Sequence, residues 1–433
     1  MNKKSITAAI SLLIPMIAHS ETNWESILAE HRPYPFEPVN TLPLIPADYN
    51  LVSVNALYRH GSRYALDNNL VPELAITFEN SIKKGEVTSE GQLLLENVQA
   101  FSDWWVKNSF LLGKLTQEGK EEMAQLGERM LYMTMNSSKN RELDVLSRNS
   151  NIERTLQSQS SYLSGMTQEA NRQGKQLHVS IINSEDEARK INTHHYSWFY
   201  RGVYRPKADN YKKDIIDDIV ANPPVSVTKE FSRYVNGLSP SDAGKMTVAL
   251  QGLCMQDAPQ GGRMGMCKPF KEIAANNDIE SIEWLTLIKN VSKFYMFGTA
   301  DVFEGINYEM GKPIIRDYIE VTDKSISTYS GVPSLDVRFG HDSNVSASLV
   351  ALGIISSEGT DAEKLETWNA WDQIHKSSNV VWQVVEKDNK YKVRMLLNEK
   401  PIKFPIDQCR KDYFCDWDIV KSHYLDAFRN NNA

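Results

Sequence analysis

The sequence has few cysteines, no excess of positive charge and almost no long apolar run among its 433 residues. Its 48 lysines and arginines are outnumbered by 55 aspartates and glutamates, so the formal net charge is −7. An acidic chain is not built to coat nucleic acid or an anionic membrane, although one pocket can still be basic enough for a small anion. Because 41% of the residues are hydrophobic and 24% charged, the composition excludes disordered, collagen-like and coiled-coil chains.

The longest apolar run lies at the amino terminus. The segment Ile6–Ile17 follows two lysines and precedes a small-residue site that ends at Ser20. These are the three parts of a secretory signal peptide, which we predict over residues 1–20 with cleavage near Ser20. A buried amino-terminal helix is the alternative. No later run approaches the ~20 residues that span a bilayer, so we expect a periplasmic or secreted protein without a membrane span.

The four cysteines favour disulfide bonds over a metal site. An even number of cysteines in an exported chain is typical of disulfides, and four cysteines allow three pairings. The pairing of sequence neighbours is plausible in an oxidising compartment, and it would join Cys254 to Cys267 and Cys409 to Cys415. A zinc site is the alternative, but the spacing includes no Cys-x-x-Cys pair. We expect neither a metal nor a cofactor.

Three short apolar segments alternate with helical patterns. The segments 51–58, 143–147 and 335–339 are rich in β-branched and large apolar residues, and a helix is predicted to follow the second over 152–166. Strands that feed helices predict an α/β fold with a mostly parallel sheet flanked by helices in three layers. Ligands of such sheets bind outside the carboxyl ends of the strands.

The middle of the chain differs from this pattern because it is aromatic, polar and interrupted by prolines. We predict that 191–295 is an inserted, mainly α-helical cap domain. The core would then comprise 21–190, with an insertion at about 66–114, and 296–433. A hairpin is predicted within 380–397, where two β-type segments flank a short polar turn.

The motif Arg59-His60-Gly61-Ser62-Arg63 comes directly after the first predicted strand. Two arginines can fork onto the oxygens of a phosphate group, and their charge lowers the pKa of a histidine between them. A neutral imidazole beside a bound phosphoryl group is a nucleophile aimed at phosphorus. The glycine allows the backbone to turn tightly next to the ligand. A surface loop with solvated arginines is the alternative interpretation.

This motif resembles the first signature of the histidine acid phosphatases, branch 2 of the histidine phosphatase superfamily. The pair His341-Asp342 resembles the second signature of the family, and Arg154-Thr155 resembles its arginine at a helix start. The segment 115–119 is similar to the one that precedes the second strand of the family. The four features occur in the family's order, and the resemblance implies a phosphoric monoester hydrolase with a small-molecule phosphate ester as its substrate.

The resemblance also implies a role for each signature residue. His60 is implied as the nucleophile that becomes phosphohistidine, and Asp342 as the proton donor to the leaving alkoxide. Four further residues are implied to bind the transferred phosphoryl group, namely Arg59, Arg63, Arg154 and His341.

Structural roles are the alternatives for three of these residues. Arg154 would be a solvated helix residue paired with an acid such as Glu118, and Asp342 would cap the start of a helix at His341. A helix start favours the charged carboxylate, so an acid role for Asp342 needs burial or an acidic neighbour.

Further points of resemblance imply the substrate class. The approach from Tyr34-Pro35-Phe36 to Arg63 is similar to that of the multiple inositol polyphosphate phosphatases, whereas His341-Asp342 is the form typical of bacterial phytases. Inositol phosphates are therefore the expected substrates. A broad-specificity acid phosphatase or sugar-phosphate phosphatase is the alternative, and a non-catalytic phosphate-binding protein is the alternative of another class. A serine hydrolase is disfavoured because no Gly-x-Ser-x-Gly motif occurs.

Two groups of basic residues in the predicted cap are assigned to the surface. Adjacent histidines point in different directions, so His194 and His195 are predicted to be polar surface rather than a metal pair. Three lysines are predicted to be solvated, with the lining of a pocket for a multiply phosphorylated substrate as the alternative, namely Lys207, Lys212 and Lys213.

Overall fold

A computed structural model of the protein describes residues 23–135, 141–300 and 305–430. The predicted signal peptide lies outside the described residues. No helix of the described part has the length and apolar character that crossing a membrane requires. The strands, in chain order, are β1 (Asn50–Arg59), β2 (Glu86–Val87), β3 (Glu142–Asn149), β4 (Gln176–Ile182), β5 (Val235–Asn236), β6 (Ser334–Gly340), β7 (Asn379–Lys387), β8 (Lys390–Leu397), β9 (Lys400–Ile402) and β10 (Phe414–Asp416).

Helices surround these strands. The α-helices, in chain order, are α1 (Leu70–Ile82), α2 (Ser89–Lys107), α3 (Gln117–Met135), α4 (Glu153–Gln173), α5 (Glu185–Ile191), α6 (Thr193–Tyr196), α7 (Arg205–Ala221), α8 (Val225–Phe231), α9 (Pro240–Asp257), α10 (Lys268–Ala275), α11 (Ile279–Phe297), α12 (Ile306–Thr328), α13 (Asp342–Ala351), α14 (Asp361–Thr367), α15 (Ala370–Gln373) and α16 (Trp417–Asn430). Short 3₁₀ segments lie at Trp24–His31, Val39–Thr41, Ser109–Leu111, Ala258–Gln260 and Asp407–Cys409, and a π-helix at Tyr200–Tyr204.

The main sheet is mixed, with a parallel core and an antiparallel arm. Its strand order is β10-β8-β7-β1-β6-β3-β4, and β9 pairs with β8. Strands β1, β6, β3 and β4 pair in parallel, whereas β7, β8, β9 and β10 pair antiparallel. The predicted hairpin is present between β7 and β8, where Asp388 and Asn389 adopt φ values of 54° and 58°. Two residues with positive φ form the turn that matches the twist of paired strands.

Alternate residues of β1 enter two separate cores, which gives the three layers. Leu57 belongs to the core that contains α12 and α13, whereas its neighbours Ala56 and Tyr58 belong to the core beneath α3 and α4. Because both faces of β1 are covered, nine of its ten residues are buried, including the polar Ser53 and Asn55. The predicted α/β/α architecture is confirmed.

Between β4 and β6, the described part of the chain is mostly helical and adds no strand to the main sheet. Helix α9 packs against α1, and the short strands β2 and β5 pair with each other. The predicted insertion at 66–114 therefore contacts the helical segment 191–295. We propose that the two segments form one cap over the carboxyl ends of the core strands.

Two disulfide bonds join the four cysteines. They connect Cys254 with Cys267 and Cys409 with Cys415, so the pairing of sequence neighbours is confirmed. The first bond links the end of α9 to the start of α10, and the second links a 3₁₀ turn to β10.

Candidate active site

The signature motifs meet because the strands that precede them are neighbours. In the parallel ladder between β1 and β6, Arg59 is paired with Gly340. The amide of His60 donates to the carbonyl of Gly340 at 3.0 Å, and the amide of Ser150 donates to that of Phe339 at 3.1 Å. The ends of β1, β6 and β3 thus lie side by side, as expected for a ligand site of a parallel sheet.

A buried carboxylate of α3 holds the loop that follows β1. Glu122 accepts from the amide of Ser62 at 2.9 Å and from its hydroxyl at 2.7 Å. It also accepts from the hydroxyl of Ser377 at 2.9 Å. Burial raises the pKa of Glu122, and these hydrogen bonds to the charged form oppose that shift. A Cβ on Gly61 would lie 2.3 Å from the carbonyl oxygen of Gly119, so the loop packs directly on the backbone of α3.

His60 is buried and held in one tautomer. Its Nδ1 lies 2.9 Å from the carbonyl oxygen of Gly61. A carbonyl only accepts, so Nδ1 carries the proton and Nε2 carries the lone pair. Burial, together with the positive charges of Arg154 and Arg59, holds the pKa of His60 well below its usual value. The imidazole is therefore neutral and has an unprotonated ring nitrogen.

Three arginines surround this imidazole, and they differ in how many of their N–H donors are hydrogen-bonded. Nη1 of Arg59 donates to the carbonyls of Glu30 and Ile374, which fixes its guanidinium. Burial and the neighbouring arginines lower the pKa of Arg63 to about 9, and burial lowers that of Arg154 to about 10. Nε of Arg63 and Nε of Arg154 have no hydrogen-bond partner among the described residues. Buried, unpaired N–H donors fit an anionic ligand.

His341 connects β6 to the arginine of α4. Its Nδ1 accepts from Nη2 of Arg154 at 3.1 Å, and its Nε2 donates to the hydroxyl of Ser150 at 3.0 Å. Its ring centre is 5.6 Å from that of His60. The backbone amide of His341 donates to Oδ1 of Asn344 at 2.9 Å, which starts helix α13.

Asp342 is the first residue of α13 and forms an ion pair with Arg59. Its Oδ2 lies 3.4 Å from Nη2 of Arg59, and its side chain is 20% exposed. Burial raises the pKa of Asp342, but the charges of Arg59 and Lys293 outweigh it and hold the pKa well below the usual value. Asp342 is therefore ionised without a ligand. The alternative interpretation placed Asp342 at the start of a helix, and this position is correct. The position is compatible with a role in proton transfer.

A cleft of about 320 Å³ opens over these residues. Five predicted site residues line it, namely His60, Arg63, Arg154, His341 and Asp342. The sixth, Arg59, lies behind them and reaches the site through Asp342. The proposed pairing of Arg154 with Glu118 is wrong, because Glu118 binds Arg263 at 2.8 Å.

Sequence reasoning missed several cations around the site. Arg201, Arg205 and Lys293 line the cleft, and Lys376 lies buried behind it. None belongs to a motif, and two of them lie on or beside the π-helix, an element that sequence patterns do not predict. The cleft lining does not include Lys207, Lys212 or Lys213. Lys212 pairs with Asp209, and Lys213 pairs with Asp217.

The prediction of a polar surface is wrong for His194. Only 4% of this residue is exposed, and its Nε2 is 3.2 Å from Oδ1 of Asn307. Burial lowers its pKa to about 4, so it is a neutral residue of the cleft wall. His195 is exposed as predicted. No cluster of three or more metal-ligating side chains occurs within 23–135, 141–300 and 305–430.

Comparison with solved structures identifies similar folds at low sequence identity. The multiple inositol polyphosphate phosphatase of Bifidobacterium longum in complex with phosphate superposes with a TM-score of 0.68 at 14% identity, covering 92% of this chain and 97% of that one. Its complex with inositol hexasulfate gives 0.67 at the same identity and coverage. The phytase of D. castellii gives 0.65 at 16% identity, covering 93% of this chain and 85% of that one.

Comparison of the sequence with protein families gives a match, whereas no curated protein matches it. The matching family is described as the histidine phosphatase superfamily (branch 2), and the match extends over residues 50–398. This range begins at β1 and ends just after β8, so it contains all three strand ends of the site. The protein therefore belongs to branch 2 of the histidine phosphatase superfamily and is a phosphatase of the histidine acid phosphatase type.

Proposed function

We propose that the protein hydrolyses phosphate monoesters, with inositol phosphates as its substrates, through a phosphohistidine intermediate on His60. The observation that carries this proposal is the neutral imidazole of His60, whose Nδ1–H is bound to Gly61 in a cleft where two arginines have donors left unpaired by the described residues. Nε2 of His60 attacks phosphorus, the bond from phosphorus to the ester oxygen breaks, and Asp342 gives its proton to the departing alkoxide. Water then attacks phosphorus, the bond from phosphorus to Nε2 breaks, Asp342 takes a proton from that water, and inorganic phosphate leaves.

The arginines stabilise the charge of the phosphoryl group during both steps. Arg63 and Arg154 each present an unpaired Nε–H among the described residues, and His341 orients Arg154. Donors fixed before the substrate arrives need no reorganisation during the reaction, which is the main advantage of such sites.

Asp342 has to gain a proton when substrate binds. In the free site, Arg59 and Lys293 favour its charged form. A dianionic phosphoryl group shares these cations and places negative charge near the carboxylate, so it raises the pKa of Asp342. The carboxyl group then becomes a proton donor at acidic pH, which fits an acid phosphatase.

The preference for inositol phosphates is supported by the charges that line the cleft. Arg201, Arg205 and Lys293 add three cations to the arginines of the signature, while Asp342 is the one acidic residue among the described residues of the lining. A substrate with several phosphate groups uses these extra cations, and a substrate with a single phosphate does not. The similar protein from Bifidobacterium longum is itself an inositol polyphosphate phosphatase.

A comparison of three substrates tests this preference. We expect inositol hexakisphosphate to be hydrolysed with a higher kcat/KM than glucose 1-phosphate or p-nitrophenyl phosphate. In the Arg201→Ala/Arg205→Ala variant, KM for inositol hexakisphosphate should rise about tenfold, whereas KM for p-nitrophenyl phosphate should change little. Arg410→Ala removes an exposed arginine outside the cleft and serves as the control. Equal changes for both substrates would favour a broad-specificity acid phosphatase.

Export of the protein is the second part of the proposal. The amino-terminal sequence has the parts of a signal peptide, and the two disulfide bonds fit an oxidising compartment. Expression of the full chain in a bacterium, followed by amino-terminal sequencing of the periplasmic fraction, should give a chain that starts near residue 21. An intact amino terminus in the cytoplasm would contradict export.

A further inference from the structure

Lys376 is a buried lysine directly behind the phosphate site. Its exposed fraction is 0%, and its Nζ has no hydrogen-bond partner among the described residues. The roles of the signature residues in phosphate binding do not explain why a lysine is buried at this position. A buried ammonium group without a partner is costly, so its presence calls for a compensating charge.

Backbone hydrogen bonds fix Lys376 against the strand that carries the nucleophile. The amide of Lys376 donates to the carbonyl of Arg32 at 3.0 Å. On the next two residues, the amide of Ser377 donates to the carbonyl of His60 at 3.2 Å, and the carbonyl of Ser378 accepts from the amide of Arg59 at 2.8 Å. The two residues that follow Lys376 are therefore bonded to the backbone of the catalytic motif.

Charged and titratable groups of three neighbouring elements face Lys376. The strand end and loop after β1 contribute Arg59, Arg63 and the neutral His60, the start of α13 contributes Asp342, and the first 3₁₀ segment contributes Glu30 and His31. Both carboxylates already have cations, since Asp342 lies beside Arg59 and Glu30 accepts from Lys293 at 2.7 Å. Cations thus exceed anions in the free site.

The excess positive charge is relieved most easily at a lysine. An arginine holds its proton more firmly than a lysine does, and burial makes a lysine give its proton up. Burial and the charges of Arg59 and Arg63 hold the pKa of Lys376 well below its usual value. A dianion in the cleft raises the pKa of Lys376 again, because it adds two negative charges within the same buried cluster.

We propose that Lys376 is the proton-linked part of the phosphoryl site: it is neutral in the free enzyme and takes up a proton when a dianionic group binds. The ammonium group then supplies one further positive charge behind the arginines. When the dianion leaves, the proton leaves with it, which weakens the attraction of the site for inorganic phosphate. This inference rests on the proposed function, since it requires that the dianion bind in the cleft.

Sulfate is the probe for the test, because it is a dianion with no proton to exchange in the working range. Calorimetric titration of the whole protein at about pH 8, in two buffers of different ionisation enthalpy, measures the protons taken up for each sulfate bound. This pH lies above the ordinary histidine range and below that of lysine. We expect uptake approaching one proton per sulfate for the wild type and for Lys207→Met, an exposed lysine outside the cleft.

Two substitutions at the buried position separate charge from proton exchange. Lys376→Met should show no uptake and about tenfold weaker sulfate binding. Lys376→Arg keeps a permanent charge, so it should bind sulfate within about threefold of the wild type and show no uptake. If Lys376 had only a structural role, Lys376→Arg would not keep its affinity for sulfate while losing the proton uptake. If Lys376→Met fails to fold, Lys376→Arg decides the question alone.

The outcomes distinguish this inference from the proposed function. Sulfate that binds the wild type without proton uptake, or with equal uptake in Lys376→Arg, would overturn the role of Lys376 and leave the phosphate site intact. If neither the wild type nor any variant binds sulfate, and the wild type hydrolyses no phosphate ester, the anion site and the proposed function are both overturned.

Discussion

At the scale of single residues, the protonation state of His60 decides what the site can do. Its Nδ1–H is committed to Gly61, and its pKa is held low by burial and by cations. His60→Ala should therefore lower kcat by about a thousandfold or more while the protein stays folded. The matched control is His423→Ala, which removes an exposed histidine on α16. Substantial turnover by a folded His60→Ala protein would rule out the phosphohistidine mechanism.

The role of Asp342 depends on the leaving group. An alkoxide needs a proton as it departs, whereas p-nitrophenolate is stable without one. We expect Asp342→Asn to slow the hydrolysis of glycerol 2-phosphate about a hundredfold and that of p-nitrophenyl phosphate much less. For the wild type, activity on the alkyl ester should fall as pH rises through the pKa of Asp342 in the complex, because the carboxyl proton is lost. The variant should lack this limb of the pH profile, and equal losses on both esters would remove Asp342 from the acid role.

The residues that sequence could identify are those that lie within motifs. His60 and Asp342 occur in short patterns after predicted strands, and the parallel register between Arg59 and Gly340 brings the patterns together. Lys376 could not be found in this way. It comes after the last signature in a loop with no motif, and its position becomes visible only through backbone bonds to His60 and Arg59 on neighbouring residues.

At the scale of elements, two helices place the loop and the arginine of the site. Helix α3 carries Glu122, which holds the loop, and α4 carries Arg154. The two helices touch through glycines: a Cβ on Gly127 would lie 2.1 Å from the carbonyl oxygen of Tyr162, and one on Gly165 would lie 2.0 Å from that of Ala124. The close approach therefore requires glycine at both positions.

Gly165→Ala should separate these helices. The added methyl group meets backbone rather than a movable side chain, so we expect the free energy of unfolding to fall by about 2 kcal/mol or more. Urea denaturation measures the loss. Gly202→Ala is the control, because a Cβ there would have open space and alanine favours a helix. If both variants were equally stable, the helix contact would not depend on glycine.

Sequence patterns predicted elements better than contacts between elements. The strand predicted over 51–58 extends over Asn50–Arg59, and the helix predicted over 152–166 continues to Gln173, where Gly174 ends it with a φ of 64°. Apolar periodicity marks such elements locally. The packing of α1 on α9 joins segments far apart in the sequence, and no local pattern records which helices become partners.

At the scale of the whole molecule, the net charge and the charge of the site have opposite signs. The chain carries a net charge of −7, yet five cations and one carboxylate line the cleft in the part of the chain that the structure describes. An acidic exterior repels polyanions at long range, whereas the cleft attracts them at short range. The net charge therefore excludes a nucleic-acid surface without bearing on a pocket for a small phosphate ester.

Ionic strength should separate these two effects. Salt screens attraction between charges in a solvent-filled cleft, and the loss grows with the number of substrate charges. Raising added salt from about 0.05 M to about 0.5 M should raise KM for inositol hexakisphosphate about tenfold and KM for p-nitrophenyl phosphate about twofold or less. Steady-state kinetics with sodium chloride measures both values, and the Arg201→Ala/Arg205→Ala variant should lose most of the difference. A KM for the hexakisphosphate that stays constant or falls with salt would mean that repulsion by the exterior outweighs the cleft, which would contradict a site selected for highly charged substrates.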